Sequence, residues 1–161
     1  MEYVGEQEDR IVVRGLTPED LEPVIALDAK SVGRRRDEYF RVKLQQNLTE
    51  TGIKVSLAAE QDGCFCGFLL ARVHYGEFGA PEPFAVLDTF AVHPDFRRRG
   101  IGSALMRQLR LNLTGLNVAQ LRTEADWSDP GMLSFFNEQG FHPAQRFCLD
   151  LDLAADAGRR Q

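Results

Sequence analysis

The sequence lacks a long apolar run and has few cysteines. A membrane-spanning helix needs roughly 20 consecutive apolar residues. No apolar run in the 161 residues approaches that length. Residues 1–9 are acidic and polar, unlike a secretory signal, so we expect a cytoplasmic protein with no membrane partner. Its three cysteines include Cys64 and Cys66, but no second Cys/His pair follows at zinc spacing. We therefore predict reduced thiols and no metal site.

Charge of one sign is not in large excess either. The formal net charge is −5, with 43% hydrophobic and 27% charged residues, which is ordinary for a globular domain and gives no indication of a nucleic-acid partner. No repeat or Pro/Gly/Ser linker divides the chain. Its length therefore predicts one domain over residues 1–161, frayed at 1–9 and 154–161.

The hydrophobic pattern alternates between strand and helix periods. Thr17, Pro18 and Asp20 mark the start of a first helix, and Asp62-Gly63 marks a hairpin turn. Further helices are predicted at 37–48, 100–113 and 129–140, and strands at 10–14, 55–60, 67–75, 84–92 and 118–124. From Phe141 onward, where apolar and acidic residues alternate at 147–153, the sequence predicts one or two final antiparallel strands. The fold class is α/β, a mixed sheet with helices on both faces.

The segment 91–105 carries the strongest functional pattern. A buried strand ends at Val92, Pro94 breaks it, and the loop Arg97-Arg98-Arg99-Gly100-Ile101-Gly102 enters a helix directly. The first turn of a helix has main-chain N–H groups without partners and carries partial positive charge. The glycines allow a bulky phosphate to approach the amides of residues 98–103, the last of which is Ser103, and the arginines add charge. This combination favours a diphosphate site over a simple turn with a solvated basic face.

These residues resemble the pyrophosphate signature of the GNAT acetyltransferases, Gln/Arg-x-x-Gly-x-Gly/Ala. The segment 135–141 is similar to the family's Phe-Tyr-x-x-x-Gly-Phe motif, and the matching segments follow the family's order. The chain looks most like the ribosomal-protein N-terminal alanine acetyltransferase members. This resemblance implies a mostly antiparallel sheet that includes a splayed parallel strand pair, ending near Val92 and Glu124, with acetyl-CoA held between those strands.

The resemblance also implies further contacts to the coenzyme. The pantetheine would pair with the strand edge at Phe90, Ala91 and Val92 like an added strand. Asp129 falls where the family often has an Asn near the cofactor, although Asp129-Pro130 is sufficiently explained as a helix cap. Phe136 occupies the position of the family's Tyr, the usual acid for the leaving thiolate, and a phenyl ring has no proton to give.

The activity implied is that of an enzyme, an acyltransferase that moves an acetyl group to an amine by direct attack. An alkylammonium is mostly charged at pH 7, so a base is needed. Glu124, at the end of a strand, is the first candidate, and a solvated carboxylate is its structural alternative. Asp88, inside an apolar strand, is the second candidate, and pairing with Arg72 or His74 is the alternative.

The acceptor is left open between a protein N-terminus, a lysine and a small-molecule amine, and a homodimer is possible. The basic stretch 34–36 falls where the family's acceptor site is walled, and it either attracts an acidic acceptor or forms a solvated helix start. The missing Tyr motivates a second reading, a non-catalytic acyl-CoA binding or sensing module. A site for ordinary nucleotides is disfavoured because the Walker pattern is absent.

Overall fold

The computed structural model describes residues 10–154, which form two compact units divided after Asp126. The strands of the first unit are β1 (Ile11–Gly15), β2 (Leu57–Gln61), β3 (Cys64–His74), β4 (Phe84–Val92) and β5 (Leu121–Thr123). Its helices are α1 (Leu21–Val32), α2 (Asp37–Leu44) and α3 (Ile101–Gly115). The ends predicted to fray lie outside the described residues apart from Ala154, and the single-domain expectation stays a prediction.

The five strands form one sheet in the order β1-β2-β3-β4-β5. All neighbours are antiparallel except β4 and β5, which are parallel. The predicted α/β class with one parallel pair in a mostly antiparallel sheet is therefore confirmed. The Asp62-Gly63 hairpin is confirmed too, since both residues have positive φ, at 51° and 77°.

Helices cover both faces of this sheet. On one face, α1 and α2 pack in a buried cluster with Phe68 and Leu70 of β3. Because side chains alternate along a strand, Gly67 faces the other side, where α3 packs against it through Ile101 and Leu105. The apolar residues of α3 recur with the helical period and are buried on the sheet along one stripe of the helix, as the sequence predicts.

The start of α1 is fixed by a buried carboxylate. As predicted, Asp20 accepts a hydrogen bond from the main-chain N–H of Thr17 at 2.9 Å. Arg14 of β1 grips the same carboxylate with two nitrogens, at 2.7 and 2.8 Å, and also reaches Glu60 of β2 at 3.0 Å. Burial alone would raise the pKa of Asp20, but the hydrogen bonds from Arg14 and Thr17 outweigh it and lower that pKa. The first helix is thereby tied to two strands.

A β-bulge interrupts β4. Leu70 of β3 stands opposite Thr89, whereas Ala71 stands opposite Leu87, so Asp88 is an extra residue in the ladder. Simple alternation places Asp88 on one face together with Val86 and Phe90, but the bulge shifts the phase of the strand at this residue. The side chain of Asp88 consequently meets α2.

The second unit contains α4 (Pro130–Glu138) and the chain that follows it. Phe136 is buried in this unit against Phe141, with ring centroids 5.0 Å apart. The prediction of one or two strands from Phe141 onward is wrong, because residues 141–152 contain no strand. Alternation of apolar and polar residues indicates that one face of a segment is suited to burial, but it does not provide the neighbouring strand. The apolar side chains of this segment are exposed, at Phe147, Leu149, Leu151 and Leu153.

The three cysteines differ in exposure. Cys64 and Cys148 are exposed, whereas Cys66 is buried in β3 and its thiol donates to the carbonyl oxygen of Ala59 at 3.3 Å. Burial raises the pKa of the Cys66 thiol to about 11. Across residues 10–154, no helix has the length and apolar character that crossing a bilayer requires.

Candidate active site

The basic loop follows β4 through a short helical turn at 94–96. The Nδ1 atom of His93 accepts from the N–H of Asp95 at 3.1 Å and caps this turn, and the ring of Phe96 packs edge-on against His93 at 5.5 Å. The guanidinium of Arg99 lies over Phe96, 5.2 Å from the ring centroid. His93 and Phe96 therefore position the loop, a role that the sequence pattern did not reveal for either residue.

The loop has the main-chain shape and charge of an anion site. Arg98 and Gly100 both adopt left-handed conformations, with φ of 64° and 81°, and such alternation of backbone conformation turns successive N–H groups toward one side. Gly100 is also the N-cap of α3, whose first turn holds no acidic residue. Within residues 10–154, none of Arg97, Arg98 and Arg99 forms an ion pair with a carboxylate. The described part of the chain therefore supplies no carboxylate that neutralises these three charges, which fits a bound diphosphate.

Close packing beneath the loop depends on Gly67. A Cβ atom built on Gly67 would lie 3.0 Å from Cγ2 of Ile101 and 3.2 Å from both the carbonyl oxygen of Ala91 and Cδ1 of Leu105. The missing side chain lets the first turn of α3 pack closely against β3. This role of Gly67 was missed from the sequence, where the available signal was a glycine at the first position of a predicted strand.

The parallel pair is joined only over its first part. The last paired residues of β4 and β5 are Leu87 and Thr123, whereas β4 continues to Val92. The N–H of His93 bonds to the carbonyl oxygen of Cys66 of β3 at 2.7 Å, so strand alternation points the main-chain groups of Val92 away from β3. By the same alternation Phe90 points the same way, whereas Ala91 points toward β3. An opening between the two strands is thus bordered by the outer edge of β4.

The two candidate bases lie at the point where the strands part. Asp88 follows Leu87 and Glu124 follows Thr123, so the parallel register brings both carboxylates to one level. Asp88 does not pair with Arg72 or His74 as its structural alternative predicted. It accepts from the ammonium of Lys43 of α2 at 2.6 Å, and the two side chains are 29% and 27% exposed. Glu124 is exposed.

Asp129 and Phe136 belong to the second unit. The carboxylate of Asp129 accepts from the N–H of Met132 at 3.0 Å, which confirms the interpretation of Asp129 as a helix cap. Phe136 contributes its ring to the packing of that unit. The first unit contains the other predicted site residues. These are residues 97–103, the outer edge of β4 and the two candidate carboxylates.

The basic stretch at 34–36 is largely neutralised by the protein itself. Arg35 pairs with Glu22 at 2.8 Å and with Asp37 at 3.0 Å. Arg36 binds the buried carboxylate of Asp28 through two nitrogens, at 2.6 and 2.9 Å. These pairs support the structural reading of this stretch over an attraction for acidic acceptors.

A family model confirms what the geometry indicates. Residues 22–141 match the model of the acetyltransferase (GNAT) family. The chain belongs to this family. GNAT membership confirms the predicted resemblance. No curated protein sequence gives a significant match.

Solved structures share this GNAT fold at low sequence identity. The aminoglycoside N-acetyltransferase AAC(6')-Iy, solved with CoA, is 18% identical with a TM-score of 0.75, over 89% of this chain and 95% of that one. The enzyme AAC(6')-Ih from Acinetobacter baumannii is 19% identical with a TM-score of 0.75, over 89% and 98%. The ribosomal-protein-alanine N-acetyltransferase from Brucella melitensis biovar Abortus 2308 is 21% identical with a TM-score of 0.72, over 89% and 99%. These similarities establish the fold.

Proposed function

We propose that the chain is an acetyl-CoA dependent N-acetyltransferase that acts on a primary amine by direct attack on the thioester. The observation that carries the proposal is the loop 97–102, where three consecutive arginines precede the first turn of α3 and form no ion pair with a carboxylate of residues 10–154. The loop directly follows the strand that borders the opening between β4 and β5. The proposed phosphate site and the strand edge proposed to bind pantetheine are therefore close together in the chain.

The binding roles follow from this arrangement. Arg97, Arg98 and Arg99, with the main-chain amides of 98–103, hold the diphosphate of the coenzyme. The outward main-chain groups of Phe90 and Val92 pair with the pantetheine amides, in the manner of an added strand. Ala91, directed toward β3, contributes through its side chain. A main-chain N–H at this edge stabilises the oxyanion. The coenzyme contacts expected of Asp129 and Phe136 stay predictions.

Proton transfer is assigned to the carboxylates at the end of the paired strands. Glu124 accepts the proton that the amine loses as its nitrogen bonds to the carbonyl carbon, directly or through a water. Acetyl-CoA supplies the activated carbonyl, and the carbon–sulfur bond breaks as the amide forms. The thiolate takes its proton from solvent, because Phe136 has none to donate. Asp88 is the second base candidate, and its ion pair with Lys43 makes it the weaker one.

The acceptor class is a primary amine. The structural relatives are named for aminoglycosides and for a ribosomal-protein alanine, and both kinds of acceptor present such an amine. The proposal includes three kinds of acceptor: a protein N-terminus, a lysine side chain and a small-molecule amine. We favour the protein acceptors among them. The cytoplasmic location expected from the sequence stays a prediction.

An acceptor screen tests the proposal. The protein is incubated with acetyl-CoA and with peptides of varied N-terminal residue, lysine peptides, polyamines and aminoglycosides, and release of coenzyme thiol is followed together with the mass of the acetylated product. We expect turnover with at least one amine. Tight CoA binding by calorimetry without turnover on any acceptor would favour the second candidate, a non-catalytic acyl-CoA binding module, which the phenyl ring at Phe136 supports.

A further inference from the structure

The side chain of Lys43 places a primary amine at the level where the two parallel strands separate. Lys43 lies on α2, and its Nζ atom is 2.6 Å from Oδ2 of Asp88. Asp88 directly follows Leu87, the last residue of β4 that pairs with β5. A primary amine is also the group that the proposed reaction acetylates. The first unit therefore holds an amine of its own beside the end of the paired strands.

Two contacts hold the amine of Lys43 in this position. The first is the ion pair with Asp88, whose side chain the bulge in β4 directs toward α2. The second is the ring of Tyr39, one helical turn earlier on α2, whose centroid lies 5.8 Å from Nζ and so within the roughly 6 Å range of a cation–π interaction. An amine that is already held in place loses little further freedom when it attacks a neighbouring carbonyl carbon.

The order of the proposed coenzyme contacts along β4 directs the thioester toward this amine. The proposed function assigns the diphosphate to the basic loop and the pantetheine to the main-chain groups of Val92 and Phe90. Going back along β4 from the loop, the chain reaches Val92, then Phe90 and then Asp88. Two residues of a strand span about 7 Å. Because the acetyl group is at the end of the pantetheine that is farthest from the diphosphate, it points along β4 toward Asp88 and Lys43.

We propose that Lys43 is a site of self-acetylation, at which Nζ attacks the thioester of acetyl-CoA bound to the same chain when no other acceptor is present. This inference rests on the proposed function. The ammonium of Lys43 first gives one proton to the carboxylate of Asp88, which lies in hydrogen-bond contact with it. The neutral nitrogen then bonds to the carbonyl carbon, and the carbon–sulfur bond breaks with its electron pair on sulfur.

The protons balance through solvent. The nitrogen loses its second proton as the amide forms, and the thiolate takes up one proton from water. Asp88 returns the first proton to solvent. One acetyl-CoA and one lysine ammonium therefore give an acetylated lysine, free coenzyme thiol and one proton. The amide is uncharged and no longer nucleophilic, so each chain accepts a single acetyl group at this site.

The lysine composition of the chain makes the modification easy to recognise. The other lysines are Lys30 and Lys54, and both are exposed, whereas Lys43 is half-buried. The ammonium of Lys43 is also engaged by Asp88. Uncatalysed reaction with acetyl-CoA in solution would favour the two exposed lysines. Acetylation that favours Lys43 therefore indicates transfer within the site.

Mass spectrometry of the full chain tests the proposal. The purified protein is incubated with acetyl-CoA without an added amine, and the acetylation of each lysine is followed in peptide digests. We expect Lys43 to be acetylated at least about tenfold faster than Lys30 and Lys54, at a rate per chain that does not depend on protein concentration. Acetylation of Lys30 or Lys54 as fast as that of Lys43, no acetylation of Lys43, or a rate that rises with protein concentration overturns the proposal.

Two variants test the proton transfer to Asp88. Asp88→Asn should slow the acetylation of Lys43 at least about tenfold, because the amide cannot accept the proton. The matched control Glu38→Gln changes an exposed carboxylate of the same helix that contacts Arg41 and not Lys43, and it should leave the rate unchanged. Calorimetry with CoA verifies that each variant is folded. An unchanged rate in Asp88→Asn overturns the proposal.

A parallel acceptor assay separates this proposal from the proposed function. Turnover of an added amine by the unaltered protein, with Lys43 unmodified after incubation without that amine, overturns self-acetylation and supports the proposed function. Absence of acetyl transfer both to added amines and to Lys43 overturns both proposals. Acetylated Lys43 together with turnover of an added amine supports both.

Discussion

The hydroxyl of Thr123 donates a hydrogen bond of 2.8 Å to the carbonyl oxygen of Leu87. This bond lies at the last paired position of the two parallel strands, beyond which β4 continues to Val92 paired with β3 but not with β5. The next residue on each strand is one of the two candidate bases, Asp88 and Glu124. The side-chain bond thus fixes the position at which the two strands separate, directly before the two candidate carboxylates.

Substitution of the two carboxylates should affect turnover unequally. Glu124→Gln should lower kcat on the best acceptor by roughly 10²-fold, the usual size of a lost general base. Asp88→Asn should cost less, because Lys43 already neutralises that carboxylate. Steady-state thiol release measures both variants, with Glu82→Gln on an exposed loop as the control. Equal and small losses in both variants would remove the base assignment.

A methyl group at Gly100 should weaken coenzyme binding. Gly100 has φ of 81°, and no atom lies within 4 Å of the position that a Cβ would occupy, so Gly100→Ala strains the backbone without a clash and places a carbon where phosphate approaches. We expect the Kd for CoA to rise at least about tenfold, with roughly 1 kcal/mol of lost stability.

Gly33 provides the matched control for that substitution. It has nearly the same φ, 82°, with equally open space, and it lies after α1. Gly33→Ala should cost similar stability while leaving CoA affinity unchanged, as read by calorimetry and thermal unfolding. Equal losses of affinity in the two variants would mean that strain, rather than access to the amides, controls binding.

The packing of α3 on β3 should not tolerate a side chain at Gly67. Gly67→Ala puts Cβ 3.0 Å from Ile101 and 3.2 Å from the carbonyl oxygen of Ala91, so the helix must shift. Overpacking of this kind costs about 1 to 3 kcal/mol, and the shift should also raise the Kd for CoA. Urea unfolding and calorimetry measure the two effects. Gly15→Ala, in β1 with no atom within 4 Å, should change stability by less than about 0.5 kcal/mol.

The Arg14–Asp20 pair should make stability depend on acidity. Because the pKa of Asp20 is lowered in the folded protein, its contribution is complete above the unfolded value near pH 4 and is lost as the pH falls through the folded value. Asp20→Asn should reduce the free energy of unfolding by about 1 to 3 kcal/mol at pH 7.

Urea unfolding between pH 7 and pH 2 checks this linkage. The difference between the unaltered protein and Asp20→Asn should shrink toward the acid end, whereas the exposed neighbour variant Glu19→Gln should show no such difference at any pH. A gap that is constant with pH would assign the stabilisation to packing instead of charge.

Local signals made most of the fold predictable. The capping residues of α1, the Asp62-Gly63 turn and the loop 97–102 act within a few positions of one another, so their residue types reveal them directly. The bulge at Asp88 and its ion pair with Lys43 depend on the ladder with β3 and on a helix 45 residues away in the chain. Simple alternation could not indicate either of them.

The prediction of one or two final strands was wrong for a related physical reason. The alternation at 147–153 describes the two faces of a strand, whereas a strand exists only when a neighbour completes its hydrogen bonds. The sequence of residues 147–153 does not specify which strand would be that neighbour. Gly67 was missed likewise, because its value lies in the approach of a helix from a distant part of the chain.

The unequal environments of the cysteines bear on any colorimetric measurement of coenzyme release. Reagents that react with sulfhydryl groups attack the thiolate form, so the exposed Cys64 and Cys148 will consume reagent at once, while Cys66, shielded and weakly acidic, will react slowly. Each chain therefore contributes a rapid background of about two equivalents before any acetyl group has moved. Replacing both exposed cysteines with serine should remove that offset.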